Sequence, residues 1–204
     1  MARTSELSAL WRADVGAGHD AALGRLLARY GEPHRQYHSV EHVFRVRRGV
    51  GDLLTRYPVP DPIAVRLAAW FHDVIYDVRR DDNELASAAL AHHELTTFGA
   101  MPERIAAVHR LILSTAGHAP GATDEAVLID ADLAVLGADP AAYEAYRRGV
   151  RFEYRHVSDN DWRVGRAAVL RQLLDLPVIY TLTTADNARA RANLTAERAS
   201  LTGQ

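Results

Sequence analysis

The stretch AVRLAAWFHDVIYD, residues 64–77, decides the fold expected for this chain. It is the most apolar helical segment of the sequence, and Pro62 behind Asp61 is typical of a helix start. His72 and Asp73 are expected in the middle of this helix, although burying an unpaired carboxylate costs on the order of several kcal/mol. Either a divalent cation binds the His–Asp pair, or arginine and backbone groups satisfy it.

Helical periodicity and capping residues extend this helical prediction along the whole chain. The short apolar runs 127–129 and 178–180 could instead form strands. The first lies in a helical context, however, and the second is too short to carry a sheet. We therefore predict an all-α, single-domain protein of about nine or ten helices over residues 1–204. The predicted helices cover 5–14, 19–30, 40–57, 62–78, 83–98, 103–116, 124–137, 140–156, 160–175 and 186–201.

Composition and charge narrow the class of protein. The chain has 204 residues, 48% of them hydrophobic, and a formal net charge of -2, which favours neither a nucleic-acid polymer nor a membrane as partner. All 24 basic residues are arginine and there is no cysteine, so a side-chain cation that meets phosphate must be Arg or His, and disulfides are excluded. Because the first residues lack the apolar core of a signal peptide, we expect a cytoplasmic protein.

Two further motifs carry candidate functional residues. In YHSVEHVFRV, His38 and His42 are four residues apart and are expected on one helix face, either at a site or as a solvated pair capped by Ser39. In VLIDADLAVLG, Asp130 and Asp132 lie two residues apart in an apolar helix, so they point to different faces. At most one of these two carboxylates is expected to bind a cation directly.

The order His, then His–Asp, then Asp resembles the HD superfamily of metal-dependent phosphohydrolases. The resemblance covers residues 35–137, and the stretches YHSVEH, AAWFHDVIYD, NELASA and DADLAVLG are similar to a bacterial subgroup of uncharacterised HD proteins. It implies an HD-type helical bundle whose core is 35–137, with the C-terminal helices packed on it.

The resemblance also implies roles for particular residues. The implied metal ligands are His42, His72, Asp73 and Asp132, where Asp132 is favoured over Asp130 because it precedes a leucine, as in the family. By similarity to cyclic-nucleotide phosphodiesterases, which share this core, His38 is the general acid. Those enzymes carry another histidine where this chain has Tyr76, which weakens the similarity to them.

Other candidates lie near the motifs. Glu84 is expected to orient water or a ligand, or else to be an ordinary acid in a first helical turn. His118 is the preferred site residue among the histidines between the HD pair and the last Asp, which also include His92, His93 and His109. Arg151 and Tyr154 are expected to reach a phosphate, or else to join helices.

The function expected from these observations is hydrolysis of a small phosphoester or nucleotide by metal-activated water, with Asp73 or Asp132 orienting the water. The donor set suits Mn, Fe, Co, Ni, Zn or Mg. One alternative is an HD domain that binds or senses nucleotides without turnover. Another is a di-iron HD oxygenase, which would need further ligands such as His92, His93 and His118. The sequence leaves the oligomeric state open, a homo-oligomer included.

Overall fold

Helices account for all the regular secondary structure in the part of the chain that the structure describes. A computed structural model describes the backbone of residues 2–203 and the side chains of residues 5–203. No strand occurs in this range, so the all-α prediction is confirmed. The α-helices are α1 Ala2–Val15, α2 Asp20–Tyr30, α3 Val40–Leu54, α4 Pro62–Phe71, α5 Asn83–Thr97, α6 Pro102–Ser114, α7 Thr123–Asp132, α8 Pro140–Glu153, α9 Asp159–Asp175 and α10 Asn187–Thr202. Short 3₁₀ helices cover Leu133–Gly137 and Thr184–Asp186.

None of the helices within residues 2–203 combines the length and the apolar character needed to cross a membrane.

Capping side chains satisfy backbone donors at three helix starts. The Asp61 carboxylate accepts the backbone N–H groups of Ile63 and Ala64 at the start of α4. Asp139 does the same for the first turn of α8, and the Ser158 hydroxyl accepts an N–H of α9. Each cap satisfies backbone donors that have no partner inside the helix.

Helix α4 is shorter than the predicted 62–78, and this corrects the expected position of the His–Asp pair. The helix ends at Phe71, so His72 and Asp73 lie in the turn that follows it and not in mid-helix. The buried Arg35 guanidinium donates to the carbonyl oxygens of Asp73 at 2.6 Å and Val74 at 2.9 Å. Because this cation satisfies the carbonyls that a longer helix would have paired, the chain can leave the helix inside the protein.

The first apolar core is formed by the seven helices from α1 through α7. Trp11 of α1 and Trp70 of α4 are fully buried and pack edge to face, with ring centroids 5.4 Å apart. The core therefore extends beyond the expected 35–137 to the N-terminal helices. Between α1, α3 and α4, the buried Asp14 accepts the Arg47 guanidinium and the Trp70 indole N–H.

A second apolar core joins α8, α9 and α10 to the first 3₁₀ helix and to α7. Helix α7 belongs to both cores, since Leu128 packs in the first and Ile129 in the second. The end of α7, which carries Asp132, is thus held from both sides.

Candidate metal centre

Four side chains from three separate segments converge between the two cores. His42 comes from the first turn of α3, His72 and Asp73 from the turn after α4, and Asp132 from the end of α7. The Nε2 atoms of the two histidines are 3.0 Å apart. One oxygen of each carboxylate lies 3.2 to 3.5 Å from these nitrogens. Within the described residues, this is the one group of three or more such donors close enough to share an ion.

The spacing and chemistry of these donors fit a divalent cation. For bonds of about 2.1 Å, neighbouring donors stand about 3.0 Å apart around an octahedral ion and about 3.4 Å apart around a tetrahedral one. The His72 Nδ1 lies 3.1 Å from the Ala69 carbonyl oxygen, to which a ring N–H donates. That bond holds a proton on Nδ1, so Nε2 faces the other donors and is the atom that would bind a cation after losing its own proton.

The two carboxylates govern protonation of the two imidazoles. Burial alone lowers the pKa of His72, but the Asp73 and Asp132 carboxylates outweigh it and hold that pKa well above its ordinary value. For His42, burial also lowers the pKa, and hydrogen bonds with Asp132 and Asp73 raise it above the usual range. A cation that binds here must therefore displace imidazole protons.

The imidazoles in turn keep both carboxylates charged. Burial raises the pKa of Asp73, but the neighbouring His72 and His42 bring it well below the usual range. Burial likewise raises the pKa of Asp132, and the same two rings lower it far below its ordinary value. Two negative charges that are largely shielded from solvent and face one small volume are the electrostatic condition for holding a divalent cation.

Asp130 is not a member of this group. Its buried carboxylate accepts the backbone N–H groups of Thr181, Leu182 and Thr183 at 2.7 to 3.0 Å. Asp130 thus joins α7 to the segment before α10, and Asp132 alone of the pair faces the histidines. The expectation that the two carboxylates point to different faces agrees with this arrangement.

His38 lies beside the donor group, but it does not lie on α3. Its spacing from His42 had predicted that both histidines share one face of a helix. Helix α3 begins at Val40, and His38 precedes it in an irregular segment, with its ring centroid 5.5 Å from that of His42. The Tyr76 ring stacks on His38 at 3.9 Å. Proximity of His38 to His42 is therefore set by tertiary contacts and not by one turn of helix.

The contact that places His38 is Glu153, at the end of α8. One carboxylate oxygen accepts the backbone N–H groups of Gln36, Tyr37 and His38 at 2.8 to 2.9 Å. The other lies 2.8 Å from the His38 Nδ1, which donates to it. Burial raises the pKa of Glu153, but His38 and the backbone donors lower it below its usual value. The His38 Nε2 is left to face away from Glu153.

Sequence reasoning missed Glu153, although it singled out Arg151 and Tyr154 on either side of it. A signal was present in the helical spacing, because Tyr143, Val150 and Glu153 are all buried on α8. A carboxylate on the apolar face of a helix requires a partner, by the same argument that drew attention to Asp73.

A cavity of about 720 Å³ opens next to the donor group. Asp132 and His38 line it, and so do two of the other predicted site residues, Tyr154 and His118. His118 follows α6 in a loop and has a left-handed backbone, with φ of 51°. The roles predicted for these two residues stay predictions.

The remaining candidates lie outside this cavity. Arg151 donates to Asp159 and to the carbonyls of Tyr154 and Val157, so it fastens the turn between α8 and α9. Glu84 is half-buried in the first turn of α5 and belongs neither to the donor group nor to the cavity wall. Three further histidines are also outside both: His92, His93 and His109.

Comparisons of this chain with protein-family models, with curated proteins and with solved structures gave no match.

Proposed function

We propose that this protein is a metal-dependent phosphohydrolase of the HD type that acts on a small phosphoester. The observation that carries the proposal is the convergence of His42, His72, Asp73 and Asp132 at the edge of a cavity that His38 also lines. Four donors able to hold a cation, space for a substrate and an imidazole lie at one place, and this combination is what metal-assisted hydrolysis requires.

A divalent cation bound by the four donors would lower the pKa of water and neutralise charge on the phosphoryl group. Asp132, which faces the cavity, accepts a hydrogen bond from the attacking water and orients it toward phosphorus. As the new P–O bond forms, the P–O bond to the leaving group breaks, and the leaving oxygen needs a proton. Water and the ester become an alcohol and inorganic phosphate.

His38 supplies that proton from Nε2. The Nδ1–H bond to Glu153 fixes the ring and leaves Nε2 for the leaving oxygen. The Glu153 carboxylate sets the tautomer and the orientation of the ring, as a carboxylate behind an imidazole does in other acid–base sites. The stacked Tyr76 ring restricts rotation of His38 further.

The test combines metal analysis of the purified protein with phosphate release from a panel of nucleotides and sugar phosphates, with each of the six candidate metals supplied. We expect bound metal and release of phosphate in the wild type, and loss of both in Asp73→Ala. The matched control is Asp52→Ala, which removes an exposed acid from α3. Equal metal in all three proteins would overturn the metal site, whereas metal without phosphate release would favour a nucleotide-binding domain.

A further inference from the structure

The wall of the cavity beside the donor group is mostly aromatic and aliphatic. Tyr37 and Tyr76 line the side nearest His38, and aliphatic side chains from the 3₁₀ helix and α9 make up much of the remaining wall. A volume of about 720 Å³ is suited to a ligand with an organic body, not to inorganic phosphate alone.

Apart from a cation held by the donor group, the cavity offers little positive charge. Among the described residues that line it, Arg166 is the one arginine, and its buried guanidinium already bonds both oxygens of Glu197 at 2.8 and 3.1 Å. Arg166 also donates to the Tyr146 hydroxyl at 2.9 Å. The other basic side chains on the wall are His38, held by Glu153, and His118 in its loop. Asp161 adds a negative charge.

The apolar wall and the scarcity of positive charge affect the phosphate end and the organic end of a ligand in opposite ways. One phosphate can lie against a cation held beside Asp132, since that cation would be the main positive charge at the cavity wall. A second phosphate, placed farther into the cavity, would lose its hydration to apolar walls and to an arginine whose charge is already compensated. An uncharged organic group would instead gain from leaving water.

Resting on the proposed function, we infer that the substrate carries a single phosphate on a bulky, uncharged, apolar or aromatic group, and that a second phosphate is disfavoured. Val169 marks the wall that contacts the organic group. It lies on α9, lines the cavity and is 45% exposed, so it borders the solvent-facing mouth.

The test measures binding of alkylphosphonates by calorimetry, because their P–C bond is not hydrolysed and binding is separated from turnover. The protein is loaded with the ion that metal analysis identifies, or with Mn²⁺ where the purified protein holds none. From methyl- to hexylphosphonate, we expect the affinity to rise by up to about fourfold for each added methylene. Hexane-1,6-bisphosphonate, of equal length but charged at both ends, should bind at least about tenfold more weakly than hexylphosphonate.

A pair of variants on one helix checks that the wall is responsible. Val169→Arg places a cation in the cavity and should bring the affinity for the bisphosphonate up to or above that for hexylphosphonate. Val164→Arg makes the same change at a position that is 68% exposed and outside the cavity, and should behave as wild type. Identical behaviour of the two variants would overturn the inference, as would wild-type affinity that is undetectable, independent of chain length or greater for the bisphosphonate.

The outcomes also separate this inference from the proposed function. Chain-length dependence without phosphate release from any ester would leave the inference standing and overturn hydrolysis. Phosphate release with no dependence on chain length would do the reverse.

Discussion

At the scale of single residues, the main feature of the site is that its four carboxylates make two different kinds of contact. Asp73 and Asp132 face the imidazoles, whereas Asp130 and Glu153 bind backbone N–H groups of irregular segments. The first two carboxylates supply negative charge to the cation site. The second two hold the chain that surrounds it, and Glu153 in addition orients His38.

Replacing His38 or Glu153 should separate catalysis from metal binding. His38→Ala should lower turnover by roughly 100- to 10,000-fold, the range for loss of a positioned acid, with little change in metal content. The loss should be smaller for an aryl phosphate, because its leaving group needs less protonation. Metal analysis and steady-state kinetics on alkyl and aryl phosphates measure both quantities.

Glu153→Gln should give a weaker form of the same effect. Glutamine keeps an oxygen for the three backbone donors but loses the charge that orients His38, so kcat should fall more than KM rises. The control is Glu144→Gln, a half-exposed acid on the same helix, which should leave kcat unchanged.

A different result for the metal content would change the role proposed for His38. Equal loss of metal in His38→Ala and His42→Ala would make His38 a metal ligand and not an acid.

The aspartate pair of α7 allows a second residue-scale prediction. Asp132→Asn should weaken metal binding by more than the roughly 10- to 100-fold that loss of a supporting hydrogen bond costs. Asp130→Asn should change metal affinity little but lower the free energy of unfolding by roughly 1–3 kcal/mol, because an amide is a poorer acceptor for three backbone N–H groups. Metal titration and urea unfolding test the two expectations, and the opposite assignment of effects would make Asp130 the ligand.

At the scale of helices, two glycines allow neighbouring segments to pack closely, and this packing brings the site residues together. A Cβ at Gly149 of α8 would meet the Tyr37 Cβ at 3.1 Å, and one at Gly49 of α3 would meet the Ala131 Cβ at 3.3 Å. The first contact brings α8, with Glu153, onto the segment that carries His38. The second brings α3, with His42, onto α7, with Asp132.

Gly149→Ala should therefore disturb His38, the proposed general acid, more than the group of four donors. The Tyr37 backbone cannot easily yield, because its N–H is bonded to Glu153. We expect a loss of turnover with metal retained, and a lower free energy of unfolding. Gly24→Ala on α2 is the matched control: nothing lies within 4 Å of the added Cβ, so it should stabilise the protein by about 0.5–1 kcal/mol. Full activity and a stability gain in Gly149→Ala would contradict this account.

At the scale of the whole molecule, the donor group joins α3, the turn after α4 and the end of α7, a helix that belongs to both cores, so cation binding should affect global stability. A cation at about 100 times its Kd adds about 2.7 kcal/mol, which corresponds to a rise in Tm of roughly 5–10 °C for a chain of this length. Thermal unfolding with and without a chelator measures this difference. No change in Tm on chelation would argue that the cluster holds no ion.

The same difference should depend on pH. In the ion-free protein the raised pKa values of His42 and His72 contribute stability below about pH 6.5, which is lost as pH rises through the raised values. The lowered pKa values of Asp73 and Asp132 contribute stability above about pH 4, which is lost as pH falls through the lowered values. The ion-free protein is therefore favoured between about pH 4 and 6.5, where protons compete with the cation. Chelation should cost more Tm at pH 8 than at pH 6, and an equal cost at both would contradict the coupling.

The sequence by itself determined the helical class, most helix bounds and the set of four donors. Periodicity and caps are local properties, so α2, α5, α6 and α10 end within two residues of their predicted bounds. The local argument that polar residues such as Asp73 on apolar segments need a partner singled out candidates, and the resemblance to the HD superfamily narrowed them to the four donors.

Only the tertiary structure decided how those residues meet. It ended α4 at Phe71, because the distant Arg35 satisfies the carbonyls beyond that point. It placed His38 through Glu153, which lies 115 positions along the chain. Contacts of this kind depend on which helices pack together. A local sequence pattern can show that a buried charge needs a partner, but it does not predict which distant residue that partner is.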